Sequence, residues 1–297
     1  MMNLTTRNIG EALINGGRIL RETGITSHAL DAQVILAQVL DKDRAWILSH
    51  PEYEPDGKTI RQFNHSIERR ALYCPVQYIV NRQEFYSLDF YVDENVLIPR
   101  PETELLVERV IAAAGDKRAN ILDIGTGSGC IAVAVAKHCK NAKVFACDLS
   151  RPALDVAARN AAFHGVSDRI HFFYADFFTI SFAAEVRSHT GGATDIIVMN
   201  PPYIETGRLR SLPASVRDYE PLTALDGKLD GLAFYRMISE TGPKILENGG
   251  YLMCETGAGQ AEAVRGILSG VYNDIEVIND LAGIGRVVLC KMHREKR

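Results

Sequence analysis

Up to about residue 75 the apolar positions recur at intervals of three and four: Ile9, Ala12, Leu13, Ile19 and Leu20, then Leu30, Val34, Ala37 and Leu40, then Ile60, Phe63, Ile67 and Ala71. One-sided stripes of this period belong to amphipathic helices. A small helical bundle is therefore predicted over 1–75, with the turn-rich run Ser49 to Pro55 joining two of its helices. The single tryptophan, Trp46, is assigned to its core. Over 76–98 the pattern changes. Phe85, Ser87, Asp89 and Tyr91 alternate with Tyr86, Leu88, Phe90 and Val92, which is the period of a strand, so a β-hairpin connector is expected. Pro99-Arg100-Pro101-Glu102 then opens a helix running through Ala114, with Pro101 placed near its first turn.

From Ala119 onward short apolar runs alternate with amphipathic ones. Strands are predicted at 120–124, 143–147, 170–174, 195–199, 250–255, 274–281 and 286–292, and helices near 130–138, 152–164, 231–247 and 258–269. Such alternation makes an α/β fold with a mostly parallel sheet covered on both faces. The last two strands are separated by Ala282-Gly283-Ile284-Gly285, too short for a crossover helix, so they must pair antiparallel. Three regions result: a helical unit over 1–75, a hairpin connector over 76–98 and an α/β unit over 99–297.

Composition narrows the class. Of 297 residues, 46% are hydrophobic and 24% charged, an ordinary globular balance in a chain long enough for two cores. The formal charge is −4, and over 1–80 nine Lys plus Arg face nine Asp plus Glu. A surface that tracks phosphates would be basic, so no stable nucleic-acid binding is expected; the one basic run is the tail His293-Arg294-Glu295-Lys296-Arg297. Cys74, Cys130, Cys139, Cys147, Cys254 and Cys290 form no CxxC pair and lie mostly in apolar runs, which reads as reduced packing residues of a cytoplasmic protein. The polar run Met1 to Gly10 does not read as a signal peptide and no stretch approaches bilayer-spanning length, so neither a signal peptide nor membrane contact is expected.

Two motifs carry chemistry. The strand Ile196-Ile197-Val198-Met199 runs straight into Asn200-Pro201-Pro202-Tyr203. Two prolines stiffen the chain and remove N–H donors, leaving backbone carbonyls beside the Asn200 side-chain oxygen and the flat face of Tyr203. Such an acceptor-rich pocket suits a planar NH2 group, an amide or an amino-purine. Upstream, the strand Asn120 to Ile124, with Asp123, leads into Gly125-Thr126-Gly127-Ser128-Gly129 and a helix. Glycines let a backbone approach a ligand, and the GxGxG spacing departs from the dinucleotide fingerprint. Asp148 closes the next apolar run 19 residues after Gly129, where a carboxylate binds ribose hydroxyls; Ser150 competes with it as the cap of the following helix. Phe177, at the end of the third strand, is placed to cover an adenine. Both motifs lie at carboxyl ends of strands and can share one cleft. Glu102 and Glu255 are candidates for pocket electrostatics, with salt bridging or helix capping as the alternative. The eight histidines form no HxxxH or Cys/His cluster, so no metal is expected.

The blocks DIGTGSG and NPPY resemble the first and fourth motifs of class I S-adenosylmethionine-dependent methyltransferases, with Asp148 as the ribose ligand. The run from Pro75 to Val110, the segments Asp123 to Ala136, Ile196 to Ile204 and Glu220 to Leu232, and CETGAGQ resemble in order the peptide-chain-release-factor glutamine-N5 methyltransferases, the HemK/PrmC family. The IPRPETE block at Ile98 to Glu104 is the most discriminating, because methyltransferases acting on a ribosomal-protein glutamine share NPPY but differ there. Ser87, where the family usually has Gly, and Thr256, where Ile is common, depart from the pattern.

The resemblance implies a Rossmann-like methyltransferase that takes S-adenosylmethionine, releases S-adenosylhomocysteine and uses no metal. It implies as substrate the Gly-Gly-Gln glutamine of class I release factors, gripped by the helical unit, with the enzyme expected to act as a monomer. It places the cofactor on Asp123, Gly125, Thr126, Gly127, Ser128, Gly129, Asp148, Phe177 and Asn200, the substrate on Asn200, Pro201, Pro202 and Tyr203, and catalysis on Asn200, Pro201 and Tyr203. The residues by themselves leave glutamine and adenine both open as acceptors, so an adenine-N6 DNA or RNA methyltransferase stays an alternative, as does a ribosomal-protein glutamine methyltransferase. A non-catalytic, cofactor-dependent binding protein is a further reading, of another class.

Overall fold

A computed structural model describes residues 7–293, so Arg294 to Arg297 of the basic tail lie outside the described residues. The chain divides into two compact units, one of residues 1–82 with Pro213–Tyr219 and one of Gln83–Leu212 with Glu220–Arg297.

The first unit holds α1 (Ile9–Glu22), α2 (His28–Leu40), α3 (Arg44–Ser49), α4 (Gly57–Ala71) and α5 (Val76–Val80). Asn8, Asp43 and Asp56 cap α1, α3 and α4, each side chain accepting an orphan amide of the first turn. The core gathers Ile9, Leu20, Ile35, Leu36, Ile47, Phe63 and Ile67. On α2 the buried face is only partly the expected one: Ala37 enters the core and Leu40 packs against it. Leu30 is exposed, and Asp31, Ala32, Ile35 and Leu36 face inward. The sequence of α2 is apolar almost all round, so periodicity hardly orients it; the buried Asp31, 2.7 Å from Arg70 Nε, goes with the face that packs. Trp46 also differs from its assignment to the core. It is half-buried at the rim, stacked on His50 at 4.4 Å, and Ile47 is the residue of α3 that enters the core. The segment Pro213–Tyr219 joins this unit, and Tyr219 Oη donates to the Leu72 carbonyl at 2.7 Å.

The second unit opens with a short hairpin, β1 (Gln83–Phe85) and β2 (Leu88–Phe90), whose turn residues Tyr86 and Ser87 both have positive φ, 53° and 58°. After α6 (Glu102–Ala114) come β3 (Asn120–Ile124), α7 (Cys130–His138), β4 (Lys143–Asp148), α8 (Arg151–Phe163), β5 (Ile170–Tyr174), α9 (Phe182–Thr190) and β6 (Thr194–Met199). Beyond α10 (Ala214–Arg217), which lies in the segment given to the first unit, follow α11 (Leu222–Leu225), α12 (Ala233–Ile245), β7 (Leu246–Glu255), α13 (Ala261–Leu268), β8 (Asn273–Asn279) and β9 (Gly285–Lys291). The seven larger strands form one sheet in the order β5-β4-β3-β6-β7-β9-β8. All are parallel except β9, which runs against both its neighbours, as the short β8–β9 connection requires.

Central strands such as β3 are buried almost throughout, as in a sheet covered on both faces. Ser150 caps α8 by accepting the Ala153 amide, while the buried α7 lies so close to α8 that a Cβ at Gly129 would stand 3.0 Å from that of Ala157. Three expectations shift: β7 begins at Leu246, well before 250, α13 begins at Ala261, and α9 was not foreseen, since Phe182 and Val186 are its only buried apolar residues. Among the described residues no helix is long and apolar enough to cross a membrane.

Candidate active site

From β3 the chain builds outward to β4 and β5, then returns to place β6 on the other side of β3 and continues to β7. The carboxyl ends of β3 and β6 flank this reversal, which is where open α/β sheets bind ligands. A cavity of about 400 Å³ lies there. Gly125, Gly127, Asp148, Leu149 and Phe177 line one part of it and Asn200, Pro201, Pro202 and Phe234 another.

The loop after β3 is folded onto the end of β4. The Gly125 and Thr126 amides donate to the Cys147 carbonyl at 2.9 and 3.0 Å. Asp148 is fixed by the same loop: Oδ2 accepts from the Gly127 amide and Oδ1 from the Ser150 amide, both at 2.9 Å. Each carboxylate oxygen keeps lone pairs for further donors. Burial raises the Asp148 carboxyl above its ordinary range, opposed by these amides. Asp123 lies deeper, with no exposed surface; Thr126 Oγ1 donates to its Oδ2 at 2.7 Å, and Oδ1 has no partner among the described residues. Burial, with the Asp148 charge adding to it, pushes the Asp123 carboxyl up to about 7. A Cβ at Gly125 or Gly127 would meet nothing within 4 Å, and both have positive φ.

The loop after β6 is held by side chains instead. Asn200 Nδ2 donates to Thr103 Oγ1 at 3.1 Å, and Thr103 Oγ1 donates to Glu255 Oε2 at 2.6 Å. Glu255 is 2% exposed, and burial pushes its carboxyl up to about 7. Around Tyr203 the backbone is clamped. Gln260 Nε2 donates to the Tyr203 carbonyl at 2.9 Å and Gln260 Oε1 accepts the Gly257 amide at 3.1 Å. A Cβ at Gly227 would approach the Tyr203 backbone to 2.8 Å and one at Gly231 would come closer still to the Tyr203 carbonyl oxygen, so side chains are excluded at both. The Gly227 amide continues the clamp by donating to the Ile204 carbonyl. The Tyr203 phenol is pushed up to about 12 by burial and then by Glu255, so it stays protonated at neutral pH.

Of the residues singled out in the sequence, the structure brings Gly125, Gly127, Asp148, Phe177, Asn200, Pro201 and Pro202 to one cavity. Asp123, Thr126, Ser128 and Gly129 stand behind that wall, and Tyr203 lies beside it, packed with Gly257. Phe177 is 7% exposed and stacks parallel to Phe234 at 6.0 Å, while Phe178 is more open to solvent. Glu102 sits 3.8 Å from Arg286 in the first turn of α6. Thr103, Gln260, Phe234 and the glycines of the clamp had not been singled out. Arg100 and Glu220 are also paired, tying the start of α6 to the segment before α11. Among the described residues no group of three or more His, Cys, Asp or Glu is arranged to hold a metal ion.

Residues 11–80 match the family model of the PrmC N-terminal domain and residues 101–212 that of the methyltransferase small domain. The release factor glutamine methyltransferase of Clostridium acetobutylicum is 37% identical over 283 residues, covering 95% of this chain and 97% of that protein. That of Chlorobaculum tepidum is 41% identical over 275 residues, covering 91% and 92%. The chain belongs to the release factor glutamine methyltransferase family. For a release factor glutamine methyltransferase the sheet is of the expected kind, since solved methyltransferases share it. The hMettl16 catalytic domain, in complex with MAT2A 3'UTR hairpin 6, aligns with a TM-score of 0.56 at 16% identity, over 78% of this chain and 84% of that one. A methyltransferase from Pyrococcus furiosus aligns with a TM-score of 0.51 at 16% identity, over 76% and 98%. At such identities the likeness is one of fold.

Proposed function

We propose that this chain transfers a methyl group from S-adenosylmethionine to the side-chain amide nitrogen of the Gly-Gly-Gln glutamine in class I release factors, supporting translation termination in the cytoplasm. The observation that carries the reading is that Asp148 and Asn200-Pro201-Pro202 line the same cavity of about 400 Å³, so donor and acceptor ends share one chamber. The residues present fit the cofactor. Open space beside Gly125 and Gly127 admits a ligand against the backbone, the amide-held Asp148 carboxylate offers lone pairs to two ribose hydroxyls, and Leu149, Ala175 and Phe177 supply an apolar wall for a flat ring. Bound there, the cofactor supplies an activated sulfonium methyl group.

The protein's task is alignment. An amide nitrogen is a reluctant nucleophile because its lone pair is delocalised into the carbonyl. Asn200 Oδ1 and the Pro201 carbonyl accept its two N–H bonds and hold the lone pair toward the methyl carbon. With the cofactor bound, methyl transfer would place positive charge on the nitrogen, and the hydrogen bonds to Asn200 Oδ1 and the Pro201 carbonyl would strengthen as it grew, which would lower the barrier. One amide proton, acidified by the new bond, would then pass to solvent water, so no base need act before attack. Tyr203, protonated and clamped, keeps the amide plane in place. The helical unit of residues 1–75 is assigned to gripping the release factor, and the enzyme to acting as a monomer. Incubating the protein with labelled S-adenosylmethionine, a release factor and nucleic acid side by side, then mapping the label by mass spectrometry, tests this. Label on the glutamine side-chain nitrogen is expected; label on adenine, or none at all, would overturn it.

A further inference from the structure

Thr103 has one hydroxyl proton. At 2.6 Å from Glu255 Oε2 it goes to the carboxylate. What remains on Oγ1 is lone pairs, so the second neighbour of that oxygen, Asn200 at 3.1 Å, must offer its NH2 and not its oxygen. With the NH2 turned inward, Asn200 Oδ1 is the end left for the cavity that Asn200 lines. The direction of this chain is thus set at its buried end. An ionised Glu255 accepts from Thr103, which accepts from Asn200. A protonated Glu255 donates instead, the Thr103 proton turns toward Asn200, and the carboxamide settles with Oδ1 inward and NH2 toward the cavity. An incoming amide N–H would then face another N–H.

We infer that Thr103 and Glu255 are positioning residues that decide which end of the Asn200 carboxamide the substrate meets, and that the charge on Glu255 switches the pocket between acceptor and donor. The inference rests on the acceptor role given to Asn200 above. The surroundings of Glu255 support a group that changes charge near neutrality. Burial dominates and Glu102 on α6 adds negative charge, while the Thr103 hydroxyl, Arg286 on β9, itself paired with Asp280 at 2.9 Å, and the Asn200 NH2 favour the ionised form. Nearby, the Tyr203 phenol and the Cys130 thiol at the start of α7 are both pushed up to about 12 and stay neutral. From α12 the buried Tyr235 hydroxyl donates to the Glu255 backbone carbonyl at 2.8 Å, fixing that strand end without touching the carboxylate.

The test is the pH profile of single-turnover methyl transfer to a release factor, with cofactor affinity measured in parallel. Wild-type turnover is expected to fall on the acid side with an apparent pKa near 7 while cofactor affinity holds. Glu255→Gln can turn either its oxygen or its NH2 toward Thr103, so it no longer fixes the direction and carries no titrating charge; it should lose that acid limb and turn over roughly tenfold to a hundredfold more slowly near pH 8. Thr103→Val, which fills the same space without the hydroxyl, should do the same, and Thr103→Ser should restore turnover to within about threefold of wild type. A wild-type profile flat through neutrality, or either of the first two variants matching the wild type in rate and acid limb, would overturn the inference, and the wild-type profile decides it even if a variant failed to fold. A wild-type protein that methylates no release factor at any pH would overturn the functional reading instead.

Discussion

The two loops that wall the cavity both depend on glycine, for opposite reasons. After β3, Gly125 and Gly127 sit at positive φ beside open space, so what a side chain there would obstruct is an incoming ligand. After β6 the loop carries prolines and a tyrosine, and its glycines come from elsewhere in the chain: Gly227, Gly231 and Gly257 press against Tyr203 with no room for a Cβ. One wall is kept bare for a small molecule; the other is packed so tightly that a tetrapeptide without regular structure holds its shape. A glycine motif therefore marks a ligand site only when the space beside it is empty.

That contrast can be broken first at the clamp. Gly231→Ala would combine a strained φ of 73° with a clash against the Tyr203 carbonyl oxygen, and should cost about 3 kcal/mol in denaturant unfolding. Gly127→Ala, strained in backbone alone, should cost about 1 kcal/mol and show itself mainly as weaker cofactor binding. Equal losses in the two variants would erase the distinction. Next in size, Asn200→Ala should cut turnover about a hundredfold while cofactor affinity holds, and unchanged turnover would remove Asn200 from the chemistry. The buried Asp123 offers a pH-dependent version. Its carboxyl stands at about 7 in the folded protein against an ordinary 3.8, so the stability of the neutral form is full below the lower value and lost as pH rises through the higher one. Asp123→Asn should therefore gain on the wild type by about 2–3 kcal/mol between about pH 5 and about pH 8, read as a Tm difference moving in the variant's favour. Asp148→Ala should weaken cofactor binding about tenfold in a titration, with wild-type affinity counting against the ribose role. The smallest effect is a gain: Ser87, at φ 58° in the β1–β2 turn, should yield about 0.5 kcal/mol on replacement by Gly, and a loss would show that its hydroxyl matters more than its backbone.

The sheet could be read from the sequence because buried parallel strands are short apolar runs, and the short link before β9 forces its reversal. The two loops could be read as neighbours because each ends a parallel strand. Thr103 could not be found this way. It lies inside the IPRPETE block, yet nothing in that block points to its partner, and its meaning comes from Glu255, 152 positions away. Gln260 and Gly231 fall in blocks that carry the resemblance, but their contact with Tyr203 was hidden for the same reason, since it is set by how β6 and β7 lie side by side. The face of α2 was only partly read because an almost wholly apolar helix has no stripe to read, and a single buried ion pair with Arg70 accompanies its rotation.

The segment Pro213–Tyr219 belongs to the first unit although the chain on either side of it belongs to the second. During synthesis the amino-terminal helices emerge early but are missing a piece of their own structure until well over half of the polypeptide has followed. A truncation at residue 82 would release an unfinished body, and a polypeptide beginning at residue 83 would carry an orphaned helical turn.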